Sequence, residues 1–332
     1  MKTKYFFVAA LILAGCSKSG DSSGAPEGEN ITWGQQPQLP TVSGDVTFNL
    51  SATQDQVNVM GTTNPRMPNF PSLTAKAKTL RGFVADLSGK PIKGAYIGIR
   101  ATLDGGLYSG ASGETNEKGY YEISLPSGAI HFYAAGYTID YGQGRATVGL
   151  YAADGNVNGF AYQNGAVKNF VLLSYGVANP DMLSQRPKDE TNYFGGSIYV
   201  SYPLHDPDDP IPTLGELPLN AEIVLTLKPD GNGLFGENKT FIINKKVGTK
   251  NFNINNIPVG KYTITAKLKD GRQLKIRGIG ANSINWPNYG VLPREATGTA
   301  SIFFTPLYNS TPATVLPHAG NWRNVELKLE LP

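Results

Sequence analysis

A hydrolytic zinc site needs two histidines, or a histidine with a carboxylate, at a spacing that brings them to one ion. This chain has three histidines, His131, His205 and His318; none opens an H-E-x-x-H run and none is followed by Glu three residues on. A P-loop is also missing from the sequence. His205-Asp206-Pro207-Asp208-Asp209-Pro210 sets three carboxylates in six residues. Their oxygens suit Ca²⁺, a hard ion that takes about 6–8 oxygen ligands, but no Gly supplies the sharp turn of calcium loops. A solvated acidic turn is the preferred reading of Asp206, Asp208 and Asp209. The aromatic residues carry a sharper suggestion. Asn285, Trp286, Asn288 and Tyr289 share one loop-like stretch, and Trp322 lies just before the last strand-like run. Sugar CH faces lie on aromatic rings while Asn amides serve hydroxyls, so these five residues are the candidate ligand-binding set. A Trp in such a loop equally serves to plug the open end of a sandwich. Tyr133, Tyr137, Tyr141, Tyr151 and Tyr162 read as strand and edge residues. No catalytic residue, enzyme activity or cofactor is expected.

The elements that must position such residues are strands. Of 332 residues 39 are Gly and 23 Pro, nearly one in five, against about 12% in an average protein. Both are poor helix residues and good turn residues. Charged residues make up only 17%, while Tyr 17 and Phe 14 favour strands. Tyr121, Ile123 and Leu125 alternate with polar neighbours, as do Ile223, Leu225 and Leu227, and Val325, Leu327, Leu329 and Leu331. That period marks half-buried strands. Short strands between turns such as Ser88-Gly89-Lys90-Pro91 indicate β-sandwiches, and the length fits two of them. A net charge of +3 makes no case for nucleic acid.

The single cysteine rules out an internal disulfide and points to the N-terminus. Lys2 and Lys4 precede an apolar run from Tyr5 to Ala14, too short for a membrane-spanning helix and suited to an export signal. Leu13-Ala14-Gly15-Cys16 resembles the lipobox of bacterial lipoproteins, in which the cysteine receives diacylglycerol and becomes the mature N-terminus. Removal of residues 1–15 would take the formal charge from +3 to +1. Each acyl CH₂ buried in the bilayer contributes about 0.8 kcal/mol, so several chains anchor durably. Residues 17–29, SKSGDSSGAPEGE, lack any aromatic or β-branched residue and read as a flexible tether. Ser17 after the cysteine resembles an outer-membrane address. Asp21, Glu27 and Glu29 resemble the acidic export tag of Bacteroidetes surface lipoproteins, spread out and interrupted by Lys18. The localisation expected is thus the outer membrane, facing the periplasm or the exterior.

An internal repeat is visible. Tyr121-Glu-Ile123-Ser-Leu125-Pro126-Ser-Gly128 is echoed by Phe252-Asn-Ile254-Asn-Asn-Ile257-Pro258-Val-Gly260. Ile130, Phe132 and Ala134 follow the first copy; Tyr262, Ile264 and Ala266 follow the second. Each Pro-x-Gly is expected to end a strand and return the chain antiparallel. The organisation read from this is a signal peptide at 1–15, lipidated Cys16 and tether at 16–44, and an irregular segment with a possible strand at 45–78. A first sandwich follows at 79–178, a linker at 179–192 and a second sandwich at 193–332.

Gly82-Phe-Val84-Ala-Asp86-Leu-Ser-Gly89-Lys-Pro91-Ile92-Lys-Gly94-Ala95 and Thr115-Asn116-Glu117-Lys118-Gly119-Tyr120-Tyr121 together resemble the carboxypeptidase regulatory-like domain. The resemblance covers about 80–175. It implies a prealbumin-like, seven-stranded antiparallel sandwich grouped with carbohydrate-binding-like folds, and it implies no chemistry. Residues 193–332 resemble this family and the Cna-B-like modules only loosely. The fold expected is all-β, with two prealbumin/Ig-like antiparallel β-sandwiches after the signal peptide and tether. Two functions fit: an envelope lipoprotein that holds glycan or another extracellular polymer on its loop aromatics, or a structural or adhesive spacer that contacts envelope proteins. The partners expected are the membrane, through Cys16, and a glycan or an envelope protein. Cys16→Ala is expected to abolish membrane retention; fractionation after a high-salt wash checks it, and a variant still sedimenting with membrane would refute the anchor.

Overall fold

The computed structural model describes residues 31–205, 208, 213–279, 288–307 and 311–332. Cys16 and the tether up to residue 30 lie outside them. The described chain is nearly all β; its one α-helix among the described residues is the four-residue Pro180–Leu183. Two short strands open it, β1 (Ser43–Leu50) and β2 (Gln56–Asn58).

The N-terminal sandwich then runs through β3 (Thr79–Asp86), β4 (Tyr96–Thr102), β5 (Tyr108–Glu114), β6 (Tyr120–Ser124), β7 (Ala129–Tyr141), β8 (Gly144–Gly149), β9 (Tyr151–Ala152), β10 (Phe160–Ala161), β11 (Ala166–Val167) and β12 (Phe170–Leu172). In one layer β3 lies between β6 and β12, antiparallel to the first and parallel to the second. In the other, β4 lies between β5 and β7, and β8 extends β7. The residues that carry the family resemblance make the turns and close approaches of this layering. Asp86 Oδ1 accepts from the N–H of Ser88 (2.9 Å) and Lys90 (3.0 Å), around Gly89 at φ +81°. Asn116 Oδ1 accepts from the N–H of Lys118 and Tyr120 at 2.9 and 3.1 Å. These are side-chain mimics of a turn's backbone bond. At Gly82 a Cβ would sit 1.8 Å from the Lys168 carbonyl oxygen, so only glycine lets the break between β11 and β12 pass this close.

The C-terminal sandwich holds β13 (Gly196–Ser201), β14 (Glu222–Pro229), β15 (Asn238–Lys246), β16 (Asn251–Ile257), β17 (Lys261–Leu268), β18 (Lys275–Gly278), β19 (Gly290–Leu292), β20 (Thr299–Phe303), β21 (Thr305–Pro306), β22 (Trp322–Arg323) and β23 (Val325–Glu330). Its central pairings repeat those of the first. β13 lies between β16 and β23, antiparallel and parallel respectively, and β14 lies between β15 and β17, with β20 beside β17. Seven strands correspond one to one, so the sequence repeat is a repeat of topology. One detail differs from expectation. The Pro126–Gly128 and Pro258–Gly260 turns do not close hairpins: β6 and β7 lie in different layers, as do β16 and β17. The chain crosses there because both faces of a sandwich must be built from consecutive strands.

A second difference is larger. The segment 45–78, expected to be irregular with one possible strand, supplies two strands, and both belong to the far sandwich. β1 pairs in parallel with β15 from Ser43↔Asn238 to Leu50↔Lys245, and β2 pairs in parallel with β16. Val46, Phe48 and Leu50 turn their alternating apolar face to the core. Lys245 is fully buried, and its Nζ donates to the carbonyls of Ser51 (2.7 Å) and Ala52 (2.9 Å) just after β1. Burial pushes its pKa down and the Asp55 charge pulls it back up. Residues 31–78 then strap across both sandwiches: Asn64 bonds both polar groups of Val177, at 2.5 Å to the N–H and 3.1 Å to the carbonyl, and Trp33 packs on Phe70 and Phe83. Lys245→Met removes the donor to both carbonyls, that of half-buried Ala52 and that of the more exposed Ser51, and with it the clamp on the turn after β1. The expected outcome is faster amide exchange in β1 and β2 with β3 and β7 unchanged, read by hydrogen-exchange mass spectrometry.

Candidate functional site

The candidate ligand-binding residues do not form an exposed platform. Trp322 is 2% exposed and Tyr289 7%, both at the junction between the sandwiches. There they meet Tyr141, the last residue of β7, and Phe303 of β20. Tyr289 and Phe303 stack at 5.2 Å and 3°, Tyr141 and Phe303 at 4.3 Å and 19°, and Tyr141 lies 4.6 Å from Trp322. Trp322 Nε1 donates to the Phe194 carbonyl (3.0 Å), and Tyr289 Oη donates to that of Tyr141 (3.1 Å). A ring covered on its faces offers nothing to a sugar, so Trp322 and Tyr289 are corrected from ligand residues to core. Asn288 donates to Gln143 Oε1 at 3.2 Å, a polar rim on the same junction. Trp286 and Asn285 lie outside the described residues.

The junction is tied by hydrogen bonds as well. Asn321 Oδ1 accepts from the Gly149 N–H at 2.6 Å, and the Ala135 N–H donates to the Val315 carbonyl at 2.9 Å. A Cβ at Gly136 would lie 2.5 Å from the Pro312 carbonyl oxygen, so the second sandwich's long loop lies directly on β7. The 179–192 stretch is packed into the same region. Ala178 N–H donates to the Asn192 carbonyl (2.7 Å), and Gly320 N–H to that of Thr191 (2.6 Å). Burial pushes the Tyr141 phenol well up, which keeps it neutral.

Of the acidic turn, Asp206 and Asp209 lie outside the described residues and Asp208 is exposed. His205 Nδ1 is 3.2 Å from Glu216 Oε2, which also accepts from the Thr213 N–H at 2.9 Å. The Thr213 bond, then His205, holds the Glu216 carboxyl below its usual range. Among the described residues no three His, Cys, Asp or Glu side chains converge as metal ligands.

A cleft of about 720 Å³ opens where the 154–159 loop, the Pro180–Leu183 helix and the 317–318 loop meet. Its lining includes His131, Tyr151, Asn156, Asn158, Asn179 and His318, with Asp181 the one carboxylate and no Lys or Arg. Lys168 fixes the loop, donating to Asp154 Oδ2 (2.6 Å) and the Asn156 carbonyl (2.7 Å). Burial lowers the His318 pKa, so both a neutral imidazole and several amides face the space. Such a lining can bind hydroxyls without demanding charge from the ligand. No local motif announces it, because its residues are spread from 131 to 318.

No family model and no curated protein matches the chain. Solved structures with some likeness include bacterial pilins and an adhesin. The Bacillus anthracis TIE protein is 17% identical over 57% of this chain and 28% of its own, with TM-score 0.22. A streptococcal ancillary pilin is 8% identical over 74% of this chain and 62% of its own, with TM-score 0.21. An adhesin from Mobiluncus mulieris, described as containing disulfide, isopeptide and ester cross-links, is 12% identical over 76% and 98%, with TM-score 0.25. The chain thus spans about a quarter of the first and under two thirds of the second. Likeness at this level carries no inference about function.

Proposed function

We propose that this chain is a lipid-anchored, non-enzymatic outer-membrane protein of the Bacteroidetes envelope type, held through Cys16 and serving as a structural or adhesive spacer. Its 79–178 sandwich is read as a carboxypeptidase regulatory-like domain, on the motif residues that shape its turns. The observation that supports a spacer most is the junction. A buried aromatic cluster, side-chain bonds from Asn321 and Asn64, and the 31–78 strap join two sandwiches that short linkers would otherwise leave free to swing. The strap also begins just after the tether, so load from the anchor meets the Trp33 contact on Phe83 and then the eight paired residues of β1.

A second reading, that the protein holds a neutral glycan, draws support from the amides and the His318 imidazole that line the cleft rather than from the loop aromatics. The two are separable. Trp322→Ala removes a fully enclosed ring at a cost of about 3–5 kcal/mol. Calorimetry of the full chain is expected to show one transition that this substitution divides in two. Cells carrying it are expected to retain the protein at the membrane yet to lose adhesion as completely as cells lacking the protein. Normal adhesion with two resolved transitions would remove the spacer reading. Neutral-glycan binding that disappears in His131→Ala with Asn158→Ala would favour the second.

A further inference from the structure

The repeated topology places β5 of the first sandwich where β15 stands in the second. β15 is covered on its outer side by β1 over eight residues. β5 pairs with β4 alone among the described strands, so its outer side is a free edge. The register fixes what that edge presents. Leu103 N–H donates to Leu107 and Thr115 N–H to Ala95, so the odd-numbered residues of β5 bond β4. Tyr108, Gly110, Ser112 and Glu114 therefore turn their N–H and C=O groups outward. Their side chains share the exposed outer face with Arg100, whose guanidinium lies 4.6 Å over the Tyr108 ring.

Other long edges carry charge inside the strand, a common block to strand addition. β6 has Glu122, paired with Lys76 at 2.6 Å; β18 has Lys275 and Arg277; β1 has Asp45. β5 has none between Tyr108 and Glu114, and the tip beside it leaves Leu107 67% exposed and Tyr108 59%. We propose that β5 is a self-association site, at which two copies of the chain join their sheets by antiparallel pairing of β5 with β5 about a two-fold axis at Ala111.

The register follows from charge. With Ala111 on the axis, Gly110 faces the second copy's Ser112, and Tyr108 faces its Glu114. Opposite residues in an antiparallel pair project to the same face, so that carboxylate lies beside Tyr108 and within reach of Arg100, and the two-fold repeats the contact at the other end. An in-register parallel pair would instead set two Glu114 carboxylates side by side. The outward groups of four residues on each copy meet in about eight N–H···O bonds. This site goes beyond the spacer reading and is independent of it.

The test uses the full chain extracted from membranes in mild detergent. Sedimentation equilibrium at about 100 μM is expected to give twice the monomer mass, in a range where weak specific pairs populate. Arg100→Glu is expected to weaken the pair about tenfold, since it creates two like-charge contacts, and Arg100→Glu with Glu114→Arg to restore it. Both side chains are exposed, so the fold is not at stake. Ala111→Cys, in a chain whose natural cysteine is Cys16 alone, is expected to give an oxidised dimer in membranes. Glu114→Cys, about 20 Å from its own copy in this register, is expected not to. A monomer at that concentration, capture of a different protein on β5 with no self-pairing, a charge reversal that fails to rescue, or equal cross-linking at 111 and 114 would each overturn the proposal.

Discussion

The rest of the structure depends on the parallel pairing of β1 with β15, which joins Ser43 to Asn238 and Leu50 to Lys245. The first strand of the described residues is completed by one made nearly two hundred residues later. The whole N-terminal sandwich is therefore an insertion within the C-terminal one, and both ends of that insertion leave from the same body. Closing so long a loop costs entropy that grows only slowly with length, while each ladder bond returns about 0.5–1.5 kcal/mol. The buried Lys245 adds to the ladder by clamping the turn that follows β1. An independent second module would need no such residue. Here an ammonium group is taken out of water because it satisfies two carbonyls that the crossing chain leaves behind.

The double attachment brings the two sandwiches together, and the aromatic junction fixes the angle. β7 runs thirteen residues, longer than its counterpart β17, so that Tyr141 reaches beyond its own layers to Phe303 and Trp322. The loop carrying Asn321 then bonds Gly149 in the adjoining strand. Large rings are an efficient means of joining domains, since each buries much apolar area while few torsions are frozen. The same rings are thereby removed from the surface. A junction made this way and a sugar platform draw on the same residues, and this chain uses Tyr289 and Trp322 for the first.

Much of the fold was legible in the sequence because its strands state their period locally. Tyr121 and Ile123 fall on the buried face of β6, and the echo from Phe252 to Gly260 marks β16, which pairs antiparallel with β13 as β6 does with β3. Asp86, Gly89 and Asn116 mark turns whose bonds are made within four residues. What escaped is whatever depends on distant partners. Val46, Phe48 and Leu50 show a strand's alternation, yet nothing local says that its ladder lies at 238–245. A Trp beside Asn321 reads the same whether its ring faces water or Tyr141. The cleft residues were equally hidden, since His131, Asn158 and His318 come together only once both sandwiches are placed.

The two sandwiches show how one topology can carry different edges. Any open sheet leaves a row of unpaired backbone groups, and a protein must cover it, charge it or let something else pair with it. In the C-terminal copy the chain supplies its own cover, β1 on β15 and β2 on β16. That cover was available because the N-terminal segment, after Trp33 touches Phe83 of the near sandwich, runs along the far one as β1 and β2. The near sandwich has no such segment to spare. Its β6 edge is charged by Glu122, and its β5 edge is uncovered and carries no charge between its end residues Tyr108 and Glu114. The asymmetry is thus a consequence of chain order: the strap that makes the two sandwiches one body is consumed at the far edge, and the near edge is left to whatever meets it from outside.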